Sequence, residues 1–127
     1  MIKNFLIINC TGKKDTLGLK IGKKFIIHQI KEFHHNSDLL SKIILDFLKI
    51  NKTIVDNKFS IIVNQGPGKF SSIRTSLSVA KGIKISTGAK IYGYKENQLL
   101  NFNLENIEKL IIKKKLENKL IKPIYLS

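Results

Sequence analysis

Two short stretches of this 127-residue chain are apolar at nearly every position, Ile2 to Cys10 and Phe59 to Val63. A strand with one wetted face alternates polar and apolar residues, so an unbroken apolar run of strand length asks for cover on both faces. The second run stops at Asn64-Gln65-Gly66-Pro67-Gly68, which reads as a tight turn, and from Ser71 the apolar spacing lengthens to a helical period. A buried strand that turns directly into a helix is the repeating unit of an α/β sheet with crossover helices.

The other segments fit around that unit. Thr11 to Asp15 reads as a turn, Leu17, Leu19 and Ile21 alternate with Gly18 and Lys20, and Gly22-Lys23-Lys24 turns the chain back into Phe25 to Ile30. The first three strands therefore read as an antiparallel meander. Asn36-Ser37 offers an N-cap, Asp38 sits where the helix dipole favours a carboxylate, and Leu39/Leu40, Ile43/Ile44 and Phe47/Leu48 recur every four residues. In the second helix Ile73, Leu77, Ala80 and Lys84 share one face and Ser72, Ser76, Val79 and Ile83 another, with Gly88 as its C′ residue. Lys90 to Tyr94 is the fifth strand. The order of three strands, helix, strand, helix, strand predicts an α/β fold, a single actin-like or ribonuclease-H-like lobe with a mixed five-stranded sheet over residues 1–95. Residues 96–127 follow as an amphipathic helix, Asn103 to Asn118, with Leu104, Ile107, Leu110, Ile111 and Leu116 apolar, and a short extended tail from Lys122 to Leu126.

The formal net charge of +14 would ordinarily point to a polyanionic partner. Of the 23 basic residues, however, all but Arg74 are lysines, and Ile and Asn are likewise inflated over ordinary usage, as codon drift in an AT-rich genome produces. Solvated lysines are thus preferred to a dedicated nucleic-acid surface. A single cysteine, Cys10, excludes a disulfide within the chain and fits a reducing, cytoplasmic setting. Phe5 to Ile8 is too short for a signal-peptide core, and no apolar run approaches membrane-span length.

Chemistry-bearing patterns are weak. The Gly-Pro-Gly turn leads into helix amides that suit an anion, but it is no P-loop: Phe70 follows Lys69, and Val63 stands five before Gly68. His28, His34 and His35 have no zinc spacing, and Cys10 within a strand reads as packed core. A metal-dependent nuclease of this fold needs carboxylates converging from the first strand and its neighbours, and the nine acidic residues are scattered over turns and helix faces. No catalytic residue, metal or cofactor is expected. Arg74 could clamp a carboxylate bidentately from the first turn of the second helix, and is equally compatible with an exposed position.

The string Asn64 to Arg74, with Gly66, Pro67, Gly68 and Phe70, resembles the GRGPGSFTGLR signature of the TsaB (YeaZ-like) family. The likeness continues through Ser78-Val79-Ala80-Lys81-Gly82-Ile83 into Thr87 to Tyr94, similar to that family's AKGLALALGIPLVGVS. His35-Asn36-Ser37-Asp38-Leu39-Leu40 is similar to its HSELL helix start, and Pro123-Ile124-Tyr125-Leu126 to its closing P-x-YLR. There are departures. Ile8-Asn9-Cys10-Thr11 replaces I-D-T-S, so the acidic residue that actin-like ATPases use near metal and phosphate is missing, Ser71-Ser72 stands for Thr-Gly, and Ser127 replaces the tail arginine. The stretch 96–121 stands where an ordinary family member carries a second lobe.

The resemblance implies a non-catalytic subunit that binds and stabilises TsaD, which transfers threonylcarbamoyl to adenosine 37 of ANN-decoding tRNAs with the ATPase TsaE assisting turnover. In the family the two helices pack against those of TsaD, or of a second TsaB copy. The interface expected here is Leu39, Leu40, Ile43, Ile44, Phe47 and Leu48 of the first helix with Arg74, Leu77, Ser78 and Lys81 of the second, and Leu77→Glu is expected to break the complex while leaving the monomer folded. Contact with tRNA is expected to be indirect or weak, and no membrane partner is expected. A basic RNA-binding domain acting alone and a glycoprotease-like hydrolase stay open as alternatives.

Overall fold

The computed structural model describes residues 2–31, 36–119 and 121–125. His34, His35, Leu126 and Ser127, which figure in the sequence argument, lie outside the described residues. Five strands form one sheet in the order β3-β2-β1-β4-β5: β1 (Phe5–Asn9), β2 (Thr16–Ile21), β3 (Lys24–Gln29), β4 (Ser60–Asn64) and β5 (Lys90–Tyr94). The β1–β2 and β2–β3 pairs are antiparallel and the β1–β4 and β4–β5 pairs parallel, so the sheet is mixed and the meander is present. Three α-helices complete the fold: α1 (Ser37–Ile50), α2 (Phe70–Thr87) and α3 (Leu104–Ile112).

The unbroken apolar character of β1 now has its cause. Leu6 and Ile8 belong to a core built with α1 and α2, whereas Phe5 and Ile7 belong to a second core that Leu99, Ile107 and Leu110 close from the opposite face. Each of these fully buried aliphatic or aromatic side chains contributes about 1.5–3 kcal/mol of transfer free energy. The segment after β5 is therefore a layer of the fold, and Glu117 extends it by exchanging backbone bonds with Gly93 at the β5 edge.

Boundaries follow local chemistry. Asn36 caps α1, its Oδ1 accepting from the backbone amides of Asp38 and Leu39 at 2.9 and 3.1 Å. Gly88 ends α2 in the left-handed region at φ 80°, where a side chain would be strained. The first strand is shorter than the apolar run suggests: Asn4 precedes it, accepting from the Ser60 amide through its carbonyl and from the Gly22 amide of the β2–β3 turn through Oδ1. The last helix stops at Ile112, six residues before the expected Asn118: Lys114 takes φ 54° and turns the chain, so Leu116 reaches the second core from outside the helix. No helix of the described residues is long and apolar enough to cross a membrane.

Candidate partner interface

The Gly-Pro-Gly turn positions α2. Asn64 Oδ1 accepts from the Gly66 amide at 2.8 Å, Lys69 N–H donates to the Thr11 carbonyl at 2.9 Å, and Ile124 N–H donates to the Gln65 carbonyl at 2.7 Å. Gly66 has φ 103°, and a Cβ there would run into the Ile124 carbonyl; a Cβ on Gly68 would lie 2.8 Å from that of Thr11. Both glycines are buried, while Pro67 and Phe70 are exposed. The turn is thus wedged between the β1–β2 connection and the tail, and it fixes where α2 begins.

At the C-terminal ends of β1, β4 and β5 lies an amide and hydroxyl network. Asn9 Oδ1 accepts from Asn64 Nδ2 at 2.7 Å and from the Tyr94 hydroxyl at 2.8 Å. Burial, reinforced by the charge of Glu96, holds the Tyr94 hydroxyl well above the usual tyrosine range, so it stays a neutral donor. Burial likewise pushes the Cys10 thiol up, with Asp15 adding to it, which leaves a packed, unreactive sulfhydryl. Among the described residues no group of three or more His, Cys, Asp or Glu comes together as a metal site. Asn9 holds its neighbours together through neutral hydrogen bonds and offers no charge to a phosphate or cation.

Helices α1 and α2 lie side by side on one face of the sheet, and the structure divides the expected interface residues. Leu40, Ile44, Phe47, Leu48 and Leu77 are core, all less than a tenth exposed and packed against Leu6, Ile8 and their neighbours. They cannot form an outward face on this fold, which corrects the expectation that the apolar stripe of α1 exceeds what the sheet needs. Leu39 and Ile43 are half-buried against the same core, and Arg74, Ser78 and Lys81 are exposed. Leu77→Glu would accordingly bury an unpaired carboxylate instead of testing a surface.

What faces outward between the helices is a shallow groove of about 340 Å³ lined by Ser37, Ser41 and Leu45 of α1 and by Ser78, Val79, Gly82, Ile83 and Ser86 of α2. Two stripes spaced four residues apart build its walls, 37/41/45 and 78/82/86. Small side chains here let another helix approach closely, while Leu45, 57% exposed, supplies apolar area at the rim. Of the residues expected from the sequence, Ser78 lines the groove, as does Gly82, one of the small α2 residues that permit close helix approach, while the small Ser76 and Ala80 are buried. The four-residue repeat of small side chains was the signal for the others, masked by the much greasier stripe at 39/40, 43/44 and 47/48.

A mixed sheet with an antiparallel meander, two parallel additions and a helix pair on one face defines a ribonuclease-H-like, or actin-like, lobe. Solved structures agree. The chain is similar to YeaZ from Pseudomonas aeruginosa, with TM-score 0.64 and 15% identity over 74% of this chain and 44% of that one. It is similar to an uncharacterised protein resembling peptidase YeaZ from the same organism, with TM-score 0.62, 18% identity and the same coverage. The Holliday-junction-bound RuvC of Thermus thermophilus shares the fold more distantly, with TM-score 0.52 and 12% identity over 75% of this chain and 66% of that one. The chain thus spans less than half the length of the YeaZ structures it matches. No family profile and no curated protein sequence matches it.

Proposed function

We propose that this chain is a TsaB-like partner subunit that docks on TsaD and leaves the chemistry to it. The observation that carries this reading is the small-residue groove on the outer side of α1 and α2, on a lobe whose fold matches YeaZ. A helix pair whose inner residues hold the sheet and whose outer rows are Ser, Gly and Leu is suited to completing a helical bundle with another chain. The same face would serve a second copy of this chain when TsaD is absent. On this reading TsaD transfers threonylcarbamoyl to adenosine 37 of the tRNA and TsaE assists turnover, in the cytoplasm. The chain contributes stability and orientation.

The neutral Asn9-Asn64-Tyr94 network supports assigning catalysis elsewhere, because it places no carboxylate where a nucleotide-dependent or nuclease relative of this fold would need one. Co-expression with TsaD of the same genome tests the proposal. A complex that survives size-exclusion chromatography is expected, with no peptidase or ATP turnover by the chain alone. Turnover by the purified chain would refute the non-catalytic assignment.

A further inference from the structure

The Gly-Pro-Gly turn carries a second surface, opposite in character to the serine groove. Phe70, 55% exposed, meets Tyr125, 38% exposed, with ring centroids 4.4 Å apart and planes tilted by 39°. Tyr125 pairs with Gly68 in an isolated parallel bridge, which sets its backbone beside the turn that leads into Phe70. Beside them Pro67, Leu100 and Ile124 line a cavity of about 550 Å³ with Lys95, Asn97 and Glu96. Lys69 precedes Phe70, and Arg74 stands one helical turn beyond it on the same side of α2; both are exposed, as is Lys122 on the tail. Lys69, Arg74, Lys95 and Lys122 are thus exposed cations on the segments that carry the two rings and the cavity, with Glu96 a carboxylate among the cavity residues.

An exposed aromatic pair on segments that also carry exposed cations has a specific complement: flat, π-faced groups on a polyanionic backbone. A membrane surface would ask for a longer apolar face, and an acidic peptide offers nothing flat to the rings. We propose that the Phe70–Tyr125 face binds an unpaired polynucleotide segment, stacking one or two bases on the rings while Lys69, Lys95 and Arg74 meet the flanking phosphates. The surface lies at the C-terminal edge of the parallel strands, where sheets of this kind hold ligands. The site stands apart from the α1–α2 groove and requires no partner protein, so its test is independent of the one above.

Fluorescence anisotropy on the full chain alone measures it, using a labelled uridine-rich 12-mer RNA, the same sequence as DNA, and a fully paired duplex. Both single strands are expected to bind more tightly than the duplex, and the tighter of the two names the natural source. Phe70→Ala and Tyr125→Ala should each weaken single-strand binding about tenfold, with Phe70→Tyr restoring it. Lys69→Gln should instead reduce the salt slope by about one. Melting curves check that each variant folds, as their exposure predicts. Equal binding of duplex and single strand, or single-strand binding unchanged in Phe70→Ala, would overturn the proposal and leave only diffuse attraction to lysines. Failure to bind any of the three would overturn it as well.

Discussion

Leu77 and Leu45 are both leucines on the helix layer, and the structure assigns them opposite work. Leu77 is 3% exposed and packs in the core between α2 and the sheet, whereas Leu45 is 57% exposed at the rim of the groove. Truncating a fully buried leucine removes its transfer free energy and leaves a cavity, which together cost about 2–5 kcal/mol. A domain of this size has about 5–15 kcal/mol in total, and each kcal/mol moves Tm by roughly 3–5 °C. Leu77→Ala should therefore lower Tm by roughly 6–25 °C. Leu45→Ala, which leaves no cavity, should stay within about 0.5 kcal/mol, or roughly 2 °C. Thermal denaturation followed by circular dichroism at 222 nm measures both. A Leu77→Ala protein melting with the wild type, or a Leu45→Ala protein losing more than 2 kcal/mol, would refute the division of the helix pair into an inner and an outer face.

Gly66→Ala combines a left-handed backbone with a Cβ driven into the Ile124 carbonyl, so it should lose at least about 2 kcal/mol by chemical denaturation. Tyr94 has a raised hydroxyl pKa in the folded chain, so the unfolded chain gives up that proton first. Its contribution is complete below about pH 10 and falls as pH rises through the folded value. Denaturant midpoints taken from pH 8 to 11 should decline less steeply in Tyr94→Phe than in the wild type, after the constant loss of the hydrogen bond to Asn9 is subtracted.

Much of the fold was legible because its signals are short-range. Continuous apolar runs marked β1 and β4, alternation marked β2, and Asn36 and Gly88 marked helix ends that the structure also uses. The length of α3 is not legible, since Lys113-Lys114-Lys115 favours a helix by propensity, whereas in the fold Lys114 is left-handed and the chain goes on to pair Glu117 with Gly93. The candidate interface is less legible in the sequence. Periodicity shows that residues 39, 40, 43, 44, 47 and 48 share a stripe, but how much of it one sheet consumes depends on where α2 lies. The Phe70–Tyr125 pair was out of reach for a stronger reason: fifty-five residues separate its rings, and nothing local states that the tail returns to Gly68.

The central claim is that the outer row of α1 and α2 docks on TsaD. Gly82 tests it most directly, because a Cβ there meets nothing within 4 Å and the residue lines the groove. Gly82→Gln should leave Tm unchanged or raise it, since glutamine favours a helix by up to about 1 kcal/mol over glycine, while its side chain fills the groove. Isothermal titration of TsaD with the wild-type chain and with Gly82→Gln should show at least a tenfold loss of affinity in the variant. Equal affinity for the two proteins, or no binding by the wild type, would contradict the account.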